Sequence, residues 1–277
     1  MVDGLSLLLE ERVAQGALSP VHICRRAPGI SNLLFTDDTL LFFKATSEQA
    51  NVVMNVLADY AWCTGQLINQ EKCSIMYGEA SPPDVQESVR SVLQVGSTSF
   101  DDKYLGFPTP EGRMNKGKFQ SLQEKLCKRI MQWGENFLSS GGKEILIKAV
   151  LQAITVYVMG IFKLPDSICD ELTKLTRNFW WGSEKGKRKA HWKSWDCITK
   201  PKHCGGLGFR DFRLFNQALL ARQAWRLIEN PHSLCVQVLK AKYYPNGSLI
   251  DTSFGGNASP GWRAIEYGLE LLKKGLI

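Results

Sequence analysis

The sequence predicts an α+β first part followed by a mainly helical remainder. Three observations predict it. Two apolar runs, within Ile30 to Phe43, flank the polar centre Thr36-Asp-Asp-Thr39, the pattern of a hairpin. From residue 115 the apolar positions step by three and four, the pattern of amphipathic helices. Charge divides the chain in the same way: residues 1–110 carry 7 basic and 13 acidic side chains, residues 111–200 carry 17 and 9, and residues 201–277 carry 10 and 5. An acidic first part and a basic remainder suggest a polyanionic partner for the second part, or a soluble surface of uneven charge.

Each element follows in order. Residues 3–15 read as an amphipathic helix with Leu5, Leu8, Leu9 and Val13 on one face and Gly16 as its stop. The hairpin comes next. Ser47 is expected to cap a helix that carries Ala50, Val53, Leu57, Tyr60 and Ala61 along one side and ends at Gly65. Leu67–Tyr77 alternates loosely and reads as a strand. Ser81-Pro-Pro-Asp84 breaks the chain and starts a short helix to Val95. Lys103–Pro108 reads as a short strand. In the remainder, Phe119, Leu122, Leu126, Ile130, Trp133 and Phe137 line one side of a basic helix over 115–138. Ser140-Gly-Gly142 separates it from an apolar helix over 143–162, and a third helix opens at Pro165. A Gly- and Lys-rich loop with short strands spans 182–210, and helices are expected over 212–229, 232–242 and 261–274. The expected divisions are 1–110, 111–181 and 182–277.

Composition removes several classes. At 44% hydrophobic and 22% charged, wholesale disorder is excluded. No uninterrupted run reaches the roughly 18 apolar residues of a membrane span, Ala149–Leu164 being broken by Gln152, Gly160 and Lys163, so no membrane partner is expected. The first residues lack the basic start of a signal peptide, so a nuclear or cytoplasmic location is expected. Eight scattered cysteines without a C-x-x-C pair read as reduced thiols. The set His191, Cys197, His203 and Cys204 matches no structural zinc spacing, and no zinc is expected.

The adjacent carboxylates Asp37 and Asp38 are the sharpest chemical feature. Side by side, each raises the other's pKa unless a cation is near. A hard divalent cation takes carboxylate oxygens, and a pair of such ions can clamp both oxygens of a phosphoryl transfer. The plain alternative is a turn in which Asp bonds its own backbone.

The segment Leu34-Phe-Thr-Asp-Asp-Thr-Leu-Leu-Phe42 resembles the F/Y-x-D-D box of reverse transcriptases. Its lead-in, Ala27-Pro-Gly-Ile-Ser-Asn-Leu-Leu-Phe35, is similar to that of non-LTR (LINE-type) retrotransposons of the plant type. Gly65-Gln-Leu-Ile-Asn-Gln-Glu-Lys-Cys-Ser74 resembles the family's next block, and Lys103-Tyr-Leu-Gly-Phe-Pro108 its Y-L-G segment. Phe179-Trp-Trp-Gly182, Gly205-Gly-Leu-Gly-Phe-Arg-Asp211 and Asn216-Gln-Ala-Leu-Leu-Ala-Arg-Gln-Ala-Trp225 resemble the region after the polymerase. The matches run in the family's order along nearly the whole chain.

The resemblance implies the last part of a reverse-transcriptase palm, then a helical thumb-like region and a basic, helical C-terminal extension. It implies Asp37 and Asp38 as ligands of Mg²⁺ or Mn²⁺, and Phe35 as a buttress of the turn. Thr36 stands where the family has Ala or another small or aliphatic residue. Lys72 would sit near the leaving pyrophosphate. Tyr104 and Gly106, with Leu105, would hold the primer. The parent reaction joins deoxynucleoside triphosphates on an RNA template to a DNA primer or target. The family also needs an upstream palm Asp, a Q-G-x-x-L-S-P-type block and a fingers domain. Gln15-Gly-Ala-Leu-Ser-Pro20 matches that block by letter but lies too close to the box, and Asp3 is the only Asp before residue 37. An N-terminally truncated, catalytically incomplete fragment is therefore expected. The alternatives are a non-catalytic nucleic-acid-binding remnant and a degenerate reading frame without function.

Two basic groups are candidates for nucleic acid. Lys116, Lys118, Lys125, Lys128 and Arg129 either track a phosphate backbone or form a solvated helix face. Lys185, Lys187, Arg188 and Lys189, with Trp192 for stacking, form a denser run that also reads as a nuclear-import patch or a solvated loop.

Overall fold

The fold was obtained as a computed structural model that describes residues 2–36, 38–96, 103–104, 107–108, 116–133, 138–184, 187–188, 190–252, 255 and 258–275. The chain forms two compact units. The first comprises residues 1–109 and 232–246, the second 110–231 and 247–277.

In the first unit, helix α1 (Val2–Ala14) leads into an antiparallel hairpin of β1 (Asn32–Phe35) and β2 (Asp38–Leu41). Helix α2 (Ser47–Thr64) follows, capped by Thr46 rather than Ser47: the Thr46 hydroxyl accepts from the Gln49 N–H. Gly65 ends it in the left-handed conformation (φ 71°), which spares a side chain the steric conflict there. Leu5, Leu9, Leu18, Val53 and Val56 are the core of this unit, with Leu34, Leu41, Phe43 and Tyr60 packed around them. One face of the hairpin thus lies on α1 and α2. The hydrophobic effect holds it there, since a two-stranded hairpin alone is marginal in water.

Leu67–Tyr77 is not a strand. Asn69 caps a short 3-10 turn, Gln70–Lys72, its side-chain oxygen accepting from the Glu71 N–H at 3.1 Å. Leu67 is 87% exposed, so the loose alternation reflects no buried face. A local side-chain bond has won over a ladder. Helix α3 (Pro83–Leu93) packs on α2. Lys103–Pro108 is a small hairpin rather than one strand: β3 (Lys103–Tyr104) pairs with β4 (Phe107–Pro108).

The second unit is helical. A 3-10 turn, Lys116–Phe119, opens α4 (Gln120–Gln132), which buries Leu122, Leu126 and Ile130. Gly141 and Gly142 do not separate two helices. Ser139 caps the first turn of α5 (Ser140–Leu146) by accepting from the Gly142 N–H, so both glycines lie inside it. A π-helical stretch, Ile147–Leu151, continues into α6 (Gln152–Met159). Helix α7 (Asp166–Trp181) buries Ile168, Leu172 and Phe179. Phe179 meets Trp133 at 5.3 Å between ring centres, and Phe119 meets Phe162 edge-on at 6.3 Å.

Beyond α7, β5 (Ser183–Glu184) and β6 (Lys187–Arg188) pair. The short α8 (Trp195–Thr199), absent from the sequence expectation, is capped by Ser194. Helix α9 (Phe212–Glu229) is capped by Asp211, and α10 (Leu234–Tyr243) belongs to the first unit. Helix α11 (Pro260–Gly275) lies tightly on α9. Gly268 makes that approach possible: a Cβ there would stand 2.3 Å from the Leu220 carbonyl carbon. Asn216 of α9, 1% exposed, donates to the carbonyls of Met159 (2.7 Å) and Phe162 (2.9 Å) and accepts from the Leu164 N–H (2.9 Å). One amide thus satisfies the buried backbone that follows α6. No helix among the described residues is long and apolar enough to cross a membrane.

Candidate functional site

The hairpin register fixes where the x-D-D box lies. Phe35 pairs with Asp38, so residues 36 and 37 alone join the strands, and the four-residue centre read from the sequence is tighter than expected. Asp38 is the first residue of β2. It shares a face with Phe35, and on that face Leu33 and Phe35 are 40% and 54% exposed. The other face, Leu34 and Leu41, packs on the helices. The alternation therefore turns Asp38 to solvent. Asp37 lies outside the described residues. No three of His, Cys, Asp and Glu come together to hold a metal ion among the described residues.

Thr36 adopts φ +51°. A β-branched residue is rare in this left-handed region, where its side chain conflicts with its own backbone. The strain sits beside the paired carboxylates, where a tight turn is needed. Exchange of Thr36 for glycine is expected to stabilise the first unit by about 0.5–1 kcal/mol. A urea-unfolding midpoint that falls instead would show that Thr36 holds the turn.

Lys72 is exposed at the end of its 3-10 turn, and no hydrogen bond or ion pair joins it to Asp38 among the described residues. Tyr104 stands in β3 opposite Phe107, while Leu105 and Gly106 lie outside the described residues.

The basic helix is clearly two-sided. Lys125, Lys128 and Arg129 are exposed beside the buried Leu122, Leu126 and Ile130, and Lys118, in the preceding 3-10 turn, is half-buried. Lys116 belongs to the preceding 3-10 turn. In the later basic run, Lys187 and Arg188 form β6, and Lys185 and Lys189 lie outside the described residues. Trp192 is 85% exposed. Its neighbour His191 stacks on Trp181 of α7, with the rings 16° from parallel and 5.6 Å apart. That stack anchors the segment that presents Trp192. Lys193 and Lys200 are exposed nearby in sequence.

Other charges are already used. Glu144 accepts from Lys148 at 2.7 Å and Lys202 at 2.9 Å, and these hydrogen bonds, that from Lys148 foremost, hold its carboxyl below the usual range. Arg213 is paired with Asp166 and Asp170. All eight cysteines are free. Burial pushes the Cys169 thiol up to about 11, so it is a core thiol and not a nucleophile. The sequence reading missed an exposed group on α9: Arg222, Trp225 and Arg226. The only sequence signal for it is the spacing of three and four residues across that solvent face.

Over 126 residues the chain is 44% identical to "Uncharacterized mitochondrial protein AtMg00310" of Arabidopsis thaliana, covering 45% of the chain and 82% of that protein. The chain belongs to the family of that protein. Over 165 residues it is also 38% identical to the Arabidopsis "Putative ribonuclease H protein At1g65750". That match covers 58% of the chain but 26% of the relative, so the chain corresponds to a minor part of that longer protein. No protein-family model matches the chain.

Proposed function

We propose that the chain is a piece of a LINE-type retroelement reverse transcriptase that binds nucleic acid through its helical part and does not polymerise alone. One observation carries the binding half of this reading. Helix α4 carries Lys125, Lys128 and Arg129, spaced by three and four, in solvent beside a buried apolar stripe, so the core fixes which side of the helix presents its cations. A row of exposed cations on one helix side suits a phosphate backbone, where counterion release drives binding. The kinship with a protein whose name says ribonuclease H fits a retroelement source.

Support for the polymerase ancestry comes from the hairpin. Asp38 faces solvent at the start of β2, and a metal held there by Asp37 and Asp38 would be open to a primer end. Such an ion, Mg²⁺ or Mn²⁺, would supply charge stabilisation for phosphoryl transfer. The chain's own part is to hold carboxylate oxygens at a tight turn backed by α1 and α2. A further carboxylate is needed to complete a two-ion clamp. The only Asp before residue 37 is Asp3, in α1.

Primer extension by the isolated chain with either ion is expected to give no incorporation. Clear incorporation that is lost in Asp37→Ala would overturn the incomplete site. Binding is tested separately, by anisotropy, on a labelled duplex.

A further inference from the structure

Helix α9 has two distinct faces. One buries Phe212, Asn216, Leu220 and Ala224. Opposite them, Ala218, Arg222, Trp225 and Arg226 are exposed, spaced by three and four so that they form one stripe. Arg222 lies one turn before both Trp225 and Arg226, so two arginines share the exposed side of the helix with one indole.

We infer that this stripe is a contact site for single-stranded nucleic acid, with Trp225 as the stacking surface and Arg222 and Arg226 as phosphate ligands. The inference rests on the nucleic-acid reading above and adds a site and a strand preference to it.

Three observations carry it. Trp225 is 41% exposed and pairs with no aromatic ring among the described residues. Of the other tryptophans, Trp133, Trp180, Trp181 and Trp195 each have such a partner, Trp262 is buried, and Trp62 and Trp192 are exposed elsewhere in the chain. Trp225 is the tryptophan of α9, and its indole is open to a ligand on that helix. Neither Arg222 nor Arg226 is in an ion pair among the described residues. Arg213, on the same helix, is held by Asp166 and Asp170, so its charge is locally neutralised and theirs is not. The acidic residue on α9 nearest to the stripe is Glu229, a turn beyond Arg226, and the region 201–277 is net basic, with 10 basic and 5 acidic side chains.

The chemistry then selects the ligand. Guanidinium binds phosphate in a two-bond fork, and an indole face stacks on any base. A duplex hides its base faces, so Trp225 can add affinity only on unpaired strands. An apolar protein surface would have to bury two unpaired guanidiniums, which is unfavourable.

The test uses the full chain and two labelled ligands at low salt, an oligoadenylate single strand and a duplex of equal length. Trp225→Ala is expected to weaken single-strand binding roughly tenfold or more, the loss of one stacked base, and to leave duplex binding unchanged. Trp225→Tyr should restore most of the loss, because a ring face returns. Arg222→Gln with Arg226→Gln should weaken single-strand binding and flatten its salt dependence by about two phosphates. If Trp225→Ala binds the single strand as well as the unaltered chain does, the α9 site is wrong and the nucleic-acid reading stands. If the variant loses both ligands equally, the strand preference is wrong. If the unaltered chain binds neither, the underlying reading fails, and the α9 site with it. Gain of binding to an acidic peptide in place of the oligonucleotides would equally overturn the site.

Discussion

Replacing Lys125, Lys128 and Arg129 together by glutamine is expected to cut duplex affinity at low salt by one to two orders of magnitude. The log–log salt slope should become shallower by about one for every phosphate that these cations no longer neutralise. The fold should survive, because these side chains are exposed while Leu122, Leu126 and Ile130 hold the helix. Circular dichroism checks that the helix remains, and anisotropy at several salt concentrations reads the slope. An unchanged slope would show that α4 is a solvated face and nothing more.

The largest stability effect is expected at Asn216. Asn216→Ala leaves the Leu164 N–H and the carbonyls of Met159 and Phe162 without their amide partner in a buried place. Each unsatisfied buried group costs about 1–3 kcal/mol, so a loss of about 3–5 kcal/mol is expected in the second unit. Asn216→Asp should not rescue it. The carboxylate can still accept from Leu164, but it sets a negative oxygen against two carbonyls and must lose its own hydration. Urea unfolding followed by fluorescence measures both variants. A loss below about 1 kcal/mol for the alanine variant would mean that water replaces the amide.

Long amphipathic helices were the most legible part of this sequence. The stripe Leu122, Leu126, Ile130 is buried as its spacing requires, because burial of one helix face decides both pattern and fold. The hairpin at residues 32–41 was legible for the same reason, with one face on the helices. Short and local features were not. Leu67–Tyr77 has strand-like composition, but the Asn69 cap and an exposed Leu67 leave it irregular. Ser140-Gly-Gly142 reads as a break, yet Ser139 caps the helix from outside and admits both glycines to its first turn. At the site, an exposed turn for Asp38 follows from the hairpin pattern, but that it shares a face with Phe35 follows only from the register, which a sequence does not state. The keystone role of Asn216 depends on carbonyls more than fifty residues away in the chain, and no local pattern announces it.

Phosphate-directed binding by the helical part is read out by titrating the full chain with a labelled duplex at increasing salt. With four to six phosphates neutralised, log affinity should fall against log salt with a slope of about −4 to −5. Different duplex sequences should give the same curve. Absence of binding at low salt, or binding that is indifferent to salt, would contradict the claim.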